Sequence, residues 1–206
     1  MIETAELKLE DNYGVLQFSL PDSLFENIKK KVKVLQETKL SDKQLFFNNS
    51  LAGQIENELK FHPDMEFRTF LENLEKKYTK HFNYDKDTTI KLESCWINFQ
   101  KKHEYNPYHN HNGSLSFVIW VQIPYSLDDE DNMPNTKNAN TKENGRFCMT
   151  YNSNFNGIKR LKIDLDKTYE GKGIIFPAKA FHYVNPFYTS DNFRISISGN
   201  FYNAPT

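Results

Sequence analysis

The sequence predicts a mainly β domain of the α+β class, an antiparallel sandwich or barrel with supporting helices in its N-terminal half. Three observations predict this class. From residue 88 onward, short runs rich in β-branched and aromatic residues are broken by turn residues, with no helical pattern between them. Helical periodicity is confined to residues 1–80. The chain of 206 residues is 38% hydrophobic, with 17 Phe and 11 Tyr, which suffices for one hydrophobic core.

The N-terminal half is expected to form a helical scaffold over residues 1–87. Residues 6–20 alternate crudely between apolar and polar types, which predicts a strand. A helix should begin near Pro21, since proline is favoured in the first turn. The apolar positions that follow have helical spacing: Leu24, Ile28, Val32 and Leu35.

A second helical region is expected from Asn48 to about Tyr78. It contains the runs LAGQIENELKF and FRTFLENLEKKY, which predict two helices. The intervening His62, Pro63 and Asp64 should end the first helix and begin the second, because proline is poorly tolerated inside a helix.

Residues 88–206 are expected to form the β core, so that residues 1–206 make up a single domain. The predicted strands lie at residues 88–100, 114–124, 146–152, 159–165, 171–177 and 193–202. A polar, Asn-rich insertion over residues 126–145 separates two of them. It is either a disordered surface loop or a lid that orders when substrate binds.

Charge and composition argue against several classes of partner. Lys and Arg total 26 against 27 Asp and Glu, so the net charge of -1 favours neither nucleic acid nor an anionic membrane. The first residues lack the basic and apolar regions of a secretory signal, and no apolar run is long enough to span a membrane. We therefore expect a cytoplasmic protein in which Cys95 and Cys148 are reduced, buried thiols.

Three histidines form a candidate metal site. His109 and His111 stand at the mouth of a predicted strand, where the period of two places both imidazoles on one face. His182 lies downstream in a short turn after the strand that ends at Pro177. Imidazole is the commonest transition-metal ligand near neutral pH. Metal affinity is expected to fall as the pH drops through roughly 6.5, the ordinary histidine pKa.

The last predicted strand carries a candidate anion site next to this triad. A hairpin after His182 would bring Arg194 back beside it, and Arg194 and Ser196 share the polar face of the strand. A guanidinium fork and a hydroxyl on one face suit a carboxylate ligand. The alternative is a water-facing edge strand with Arg194 solvated.

Two sequence blocks resemble the signature blocks of the 2-oxoglutarate and Fe(II)-dependent oxygenase superfamily. One extends over residues 94–125 and includes NPYHNHNGSLS, and the other covers residues 173–201 and includes FPAKAFHYVNP and FRISISGN. The blocks are most similar to a branch of short oxygenases found in phages and bacteria. The resemblance implies a double-stranded β-helix, the jelly-roll fold shared with cupins.

The resemblance also implies roles for individual residues. His109, His111 and His182 would bind Fe(II), while Arg194 and Ser196 would bind the distal carboxylate of 2-oxoglutarate. Asn98 would line the cosubstrate pocket or form a structural hydrogen bond. Three further residues are candidates for the pocket wall: Tyr108, Ser116 and Asn200. The implied activity is a dioxygenase reaction that consumes 2-oxoglutarate and O2 and oxidises a primary substrate, with amino acids, protein side chains, nucleic acids and small metabolites all open.

The chain departs from the superfamily at one ligand position. Most members have Asp or Glu where this chain has His111, and the short branch shares the histidine. Three neutral imidazoles leave the metal site one unit more positive than two imidazoles and a carboxylate, which favours capture of the 2-oxoglutarate dianion. The alternative function is a cupin-like three-histidine metal protein, either a dioxygenase without a keto-acid cosubstrate or a catalytically silent protein.

Overall fold

The computed structural model describes residues 3–7, 14–38, 46–84, 89–153 and 156–203. The strands are β1 (Thr4–Leu7), β2 (Val15–Ser19), β3 (Asn57–Lys60), β4 (Ile90–Gln100), β5 (Asn106–His109), β6 (Leu115–Gln122), β7 (Phe147–Ser153), β8 (Gly157–Ile163), β9 (Lys172–Pro177), β10 (His182–Val184) and β11 (Arg194–Asn203). The helices are α1 (Asp22–Thr38), α2 (Met65–Phe82) and α3 (Leu127–Asp131).

Two antiparallel sheets form the fold. The larger has seven strands in the order β1-β2-β9-β6-β11-β4-β3, and the smaller has four in the order β5-β10-β7-β8. The mainly β fold, a jelly roll with N-terminal helices, agrees with the prediction. All six strands predicted after residue 88 are present, and β5 and β10 are additional short strands.

The core has two parts, one on each face of the seven-stranded sheet. Apolar residues of α1 and α2 pack with the outer face of the sheet, where alternate residues such as Ile97, Ile195 and Ile197 are fully buried. On the inner face, Trp120 packs with Phe147 of the four-stranded sheet. The helices therefore support the sheet from outside, and its inner face is left to form a cavity.

The helix predictions are confirmed for α1 and α2. In α1 the buried residues are Leu24, Ile28 and Val32, as the spacing predicts. Asp64 caps α2, where its side chain accepts a hydrogen bond from the Phe67 backbone N–H at 3.0 Å. Both cysteines are buried and free, also as predicted.

Two predictions for the N-terminal half are wrong. The segment LAGQIENELKF contains no α-helix, because its second half forms β3 and pairs with β4. Leu59 is fully buried in that pairing, so tertiary packing overrides helix propensity here. The single strand expected over residues 6–20 is instead two strands, β1 and β2, paired antiparallel; residues 8–13 lie outside the described residues.

The polar insertion over residues 126–145 is anchored by buried charges, so the disordered-loop interpretation is wrong. Glu130 of α3 is fully buried and accepts hydrogen bonds from the backbone N–H groups of Tyr188 and Thr189, each at 2.8 Å. Arg146 pairs with Asp131, and also with Asp164 at 2.8 Å. The Glu130 contacts tie the insertion to the segment that leads into β11, and the Arg146 pairs tie it to the end of β8.

Replacing the buried carboxylate should loosen this anchor. Glu130→Ala removes the buried carboxylate that accepts from two part-buried N–H groups and is expected to lower the free energy of unfolding by about 2 kcal/mol. Asp128→Ala, at an exposed position of the same helix, should cost less than about 0.5 kcal/mol. Urea denaturation of both variants measures the difference, and equal stabilities would contradict the anchoring role.

Candidate active site

The three predicted histidines lie together on neighbouring strands. His109 ends β5 and is paired in register with His182, the first residue of β10, while His111 follows β5 directly. The ring centroids are 4.3 Å apart for His109 and His182, 4.9 Å for His109 and His111, and 5.0 Å for His111 and His182. One ligand nitrogen from each ring lies within 4.8 Å of the other two.

Backbone carbonyl groups orient two of the rings. The Nδ1 of His109 lies 2.6 Å from the carbonyl oxygen of Pro107, and the Nδ1 of His182 lies 3.0 Å from that of Ala180. A carbonyl only accepts, so Nδ1 carries the proton in both rings. The Nε2 atoms are therefore left as lone-pair donors, as in most histidine ligands of metals.

Burial also keeps the triad neutral. It lowers the pKa of His111 to about 4, an effect that the neighbouring His109 reinforces. Burial is also the main cause of the lowered pKa of His109, and it places the pKa of His182 well below the ordinary value. All three rings are thus unprotonated at neutral pH, the form in which histidine binds a metal.

A single cavity between the sheets contains the triad and the predicted anion-binding residues. Asn98 of β4 and Ser196 of β11 are paired in register, with the amide Nδ2 3.3 Å from the serine Oγ. Arg194 lies on the same face of β11 and lines the same cavity. The remaining wall is largely aromatic and apolar: Trp96, Phe117, Val118, Trp120, Phe147, Phe176 and Val184.

Arg194 is buried without a carboxylate partner. Only 2% of the residue is exposed, and it forms no salt bridge with any described residue. Neutral oxygens hold its guanidinium in place: Gln100 Oε1, Tyr125 Oη and the carbonyls of Gly145 and Asn185. A buried guanidinium with no counter-ion is costly. The water-facing alternative for this strand is therefore wrong.

The three further candidates for the pocket wall, Tyr108, Ser116 and Asn200, lie outside this cavity. Tyr108 is 56% exposed, stacks on Phe181 and shares a 2.7 Å hydrogen bond with Thr150. It alternates with His109 along β5 and so points to the opposite face. Ser116 is buried and donates to Asn200 at 2.6 Å, and Asn200 lines an adjoining groove instead.

Sequence reasoning missed several residues of the site. Gln100 and Tyr125 position Arg194, and Glu58 of β3 contributes to the cavity wall. Gln100 lies two residues after Asn98 on the same strand. The period of two therefore places both side chains on one face, and this pattern could have identified Gln100. Glu58 lay in a segment predicted to be helical, which hid the alternation.

The donor set fits Fe(II). Three neutral imidazoles with ligand nitrogens turned toward one another are a borderline-soft set suited to divalent iron. Their neutrality leaves the full metal charge for an anionic cosubstrate, and the uncompensated Arg194 lines the same cavity.

The fold is shared with known prolyl hydroxylases. A prolyl-4-hydroxylase from Pseudomonas putida superposes with a TM-score of 0.60 at 13% identity, over 94% of each chain. A Trichoplax adhaerens prolyl hydroxylase, in complex with a hypoxia inducible factor peptide fragment, gives 0.57 at 13% identity over 92% of this chain and 83% of that one. The viral collagen prolyl hydroxylase of Paramecium Bursaria Chlorella virus-1, bound to 2OG, gives a TM-score of 0.56 at 11% identity, over 94% of this chain and 98% of that one.

Comparison at the sequence level identifies the family. No curated protein matches the chain. A family model described as "Putative 2OG-Fe(II) oxygenase" matches residues 94–200, just over half of the chain, and that range contains the whole triad together with Arg194 and Ser196. The chain therefore belongs to the 2-oxoglutarate and Fe(II)-dependent oxygenase family, whose cosubstrates are 2-oxoglutarate and O2.

Proposed function

We propose that the protein is a 2-oxoglutarate-dependent hydroxylase in which His109, His111 and His182 hold Fe(II) while Arg194 and Ser196 bind the distal carboxylate of 2-oxoglutarate. One observation carries the proposal. A triad of neutral imidazoles and a buried guanidinium without a counter-ion line the same cavity. A dianion that reaches both would place one carboxylate at the metal and the other at the guanidinium, and would offset two of their three positive charges.

The bound cofactor supplies the oxidation, in which 2-oxoglutarate and O2 become succinate and CO2 as one oxygen atom enters the substrate. The protein's own residues position the reactants. Gln100 and Tyr125 hold the guanidinium of Arg194 in a fixed orientation, so little side-chain entropy is lost when it binds a carboxylate. The aromatic wall formed by Trp120, Phe147 and Phe176 excludes water from the cavity.

The cupin-like alternative leaves Arg194 without an anionic ligand. A three-histidine protein with no keto-acid cosubstrate has no anion to balance this buried charge. We also propose that residues 1–206 act as one oxygenase domain, since strands from both halves share the seven-stranded sheet. No helix in the described part of the chain is long and apolar enough to span a membrane. A cytoplasmic location and membership of the phage and bacterial branch stay predictions.

Removing one imidazole should abolish the metal centre. Anaerobic addition of Fe(II) and then 2-oxoglutarate to the wild-type protein is expected to produce a weak visible charge-transfer band. His182→Ala should lose this band, because two imidazoles bind the metal too weakly at micromolar protein. His62→Ala, at an exposed site away from the cavity, is the control. Stoichiometric iron without any band in the wild type would favour the cupin-like function.

The two buried arginines provide a matched test of cosubstrate binding. Arg194→Lys keeps the positive charge but loses the planar fork and is expected to weaken 2-oxoglutarate binding at least about tenfold. Arg146→Lys, at an equally buried arginine that is paired with two aspartates, should leave that affinity within about twofold. Titration of the charge-transfer band with 2-oxoglutarate gives the dissociation constant of each variant. Equal effects of the two substitutions would argue against a cosubstrate role for Arg194.

The pH dependence of metal binding follows from the lowered pKa values. Three ordinary imidazoles would lose about fifty-fold in affinity between pH 7.5 and 6.0, because each must shed a proton to bind. Burial lowers the pKa of all three residues, so their neutral forms persist and the loss begins at lower pH. We expect less than a tenfold loss over this interval, which corrects the expectation of a fall near 6.5.

Tryptophan fluorescence can follow this titration under anaerobic conditions. The chain has 2 Trp, and both Trp96 and Trp120 line the cavity, so quenching by Fe(II) reports on the site itself. A fifty-fold loss by pH 6.0 would mean that the imidazoles titrate as exposed groups.

A further inference from the structure

A second buried charge lines the cavity, on the opposite side of Asn98 from Ser196. Glu58 of β3 pairs in register with Asn98 of β4, and Asn98 pairs with Ser196 of β11. The three residues thus form one row across the inner face of the sheet, with Glu58 roughly 10 Å from Ser196 at ordinary strand spacing. Glu58 is only 1% exposed, yet it lines the same cavity as the histidine triad.

The Glu58 carboxylate has no cationic partner in the described part of the chain. It takes part in no salt bridge there. Among the described residues, its carboxylate accepts one side-chain hydrogen bond, a long one of 3.4 Å from the Nδ2 of Asn48 to Oε2. Lys60, on the same face of β3, places its ammonium over the Phe47 ring instead. The Oε1 atom accepts no hydrogen bond from a described residue, so it is available to a ligand.

The surrounding backbone holds this carboxylate in place. Residues 51–53 close over it, and a Cβ at Gly53 would clash with both the Glu58 carboxylate and the side chain of Asn106. A bridge between Gln54 and Tyr105 ties the same segment to the chain that leads into β5. Burial, followed by repulsion from Glu104, raises the pKa of Glu58 to about 7. A bound cation would stabilise the ionised form of such a group.

The two known components of the reaction do not account for Glu58. The metal-ligand cluster consists of the three histidines and does not include it. The 2-oxoglutarate dianion carries the same sign of charge as an ionised Glu58 and would be repelled by it. What remains for a carboxylate with a free acceptor in this cavity is the primary substrate.

We propose that Glu58 is a specificity-determining residue that accepts hydrogen bonds from a cationic nitrogen group of the primary substrate, a primary amine or a guanidinium. This proposal rests on the proposed function, whose substrate class it names. Trp96 lines the same cavity and provides an aromatic face of the kind that attracts cations.

An adjoining groove gives such a group a route to the cavity. The groove shares Leu51, Ala52, Trp96 and two of the histidines with the cavity wall. Its other residues include Phe47 and Asn112, and it is open at the surface. The cation would therefore pass the loop over residues 51–53 and the Trp96 ring before it meets Glu58.

Binding by matched pairs of ligands tests the proposal. The probes are L-arginine against its neutral isostere L-citrulline, and L-lysine against L-norleucine, each as the free amino acid and as the Nα-acetyl amide. Calorimetry is performed on the anaerobic Fe(II) and 2-oxoglutarate complex. We expect at least one cationic probe to bind about tenfold or more tightly than its isostere, as for a hydrogen bond to a charged group. The blocked forms distinguish a peptide side chain from a free amino acid as the source of the cation.

Three variants assign this preference to Glu58. Glu58→Gln should reduce it to about twofold or less, whereas Glu58→Asp, which keeps the charge, should retain part of it. Glu75→Gln, which neutralises a buried glutamate of α2 away from the cavity, should retain all of it. The quantity measured for each variant is the ratio of its affinities for the cationic probe and for the neutral isostere. A general loss of stability would lower both affinities and leave this ratio unchanged.

Two outcomes would overturn the proposal. One is a wild-type protein that binds cationic and neutral probes equally or binds neither, and the other is a Glu58→Gln variant that keeps the preference. The calorimetry is repeated on the metal-free protein. The preference for a cation can thus be measured without the iron centre. If the wild-type protein shows no charge-transfer band, that result counts against the proposed function, and the preference for a cation still tests the role of Glu58.

Discussion

The strict alternation of β11 between two strands of the larger sheet is the constraint on which the site depends. Continuous register with β4 from Arg194 to Asn200 turns Arg194, Ser196 and Ser198 inward, and the intervening Ile195 and Ile197 outward. On the other side β11 pairs with β6, with an irregularity between Ile195 and Ser196. The isoleucines are buried in the core that contains α1 and α2, so a slip of one residue would bury the polar set there. The hydrophobic core on one face therefore holds the polar groups of the other face in place.

The buried charged residues differ in which groups satisfy their charge. Arg146 has two aspartate partners, and Glu130 accepts two backbone hydrogen bonds and one from the Thr189 hydroxyl. Arg194 and Glu58 have no ionic partner among the described residues, and both line the cavity. Among the described residues, Glu58 receives a single long side-chain hydrogen bond, and the guanidinium of Arg194 meets only neutral oxygens. An unpaired buried charge is destabilising, and both residues line the cavity, so charged ligands are the partners that this cavity suits.

Much of this arrangement follows from local patterns in the sequence. The long strands β4, β6 and β11 and the helix α1 have clear periodicity, and the triad and Arg194 stand at recognisable spacings. β5 and β10 are too short to produce a period, although they carry two of the three histidines. β3 depends on pairing with β4 that is distant in sequence, which no local pattern reports. Glu58 was missed for the same reason.

The placement of Glu58 offers a physical account of His111. In the more common site, the metal ligands are two histidines and one carboxylate. The negative charge of that carboxylate and the two negative charges of 2-oxoglutarate together balance the positive charges of Fe(II) and an anchoring arginine. Replacing that ligand with a neutral imidazole would leave one excess positive charge in a cavity that excludes water. When it is ionised, Glu58 returns one negative charge to the same cavity without entering the ligand set. An ionised Glu58 therefore gives the site the same total charge as the two-histidine, one-carboxylate arrangement, with the carboxylate on the cavity wall, where a substrate can meet it, instead of on the metal.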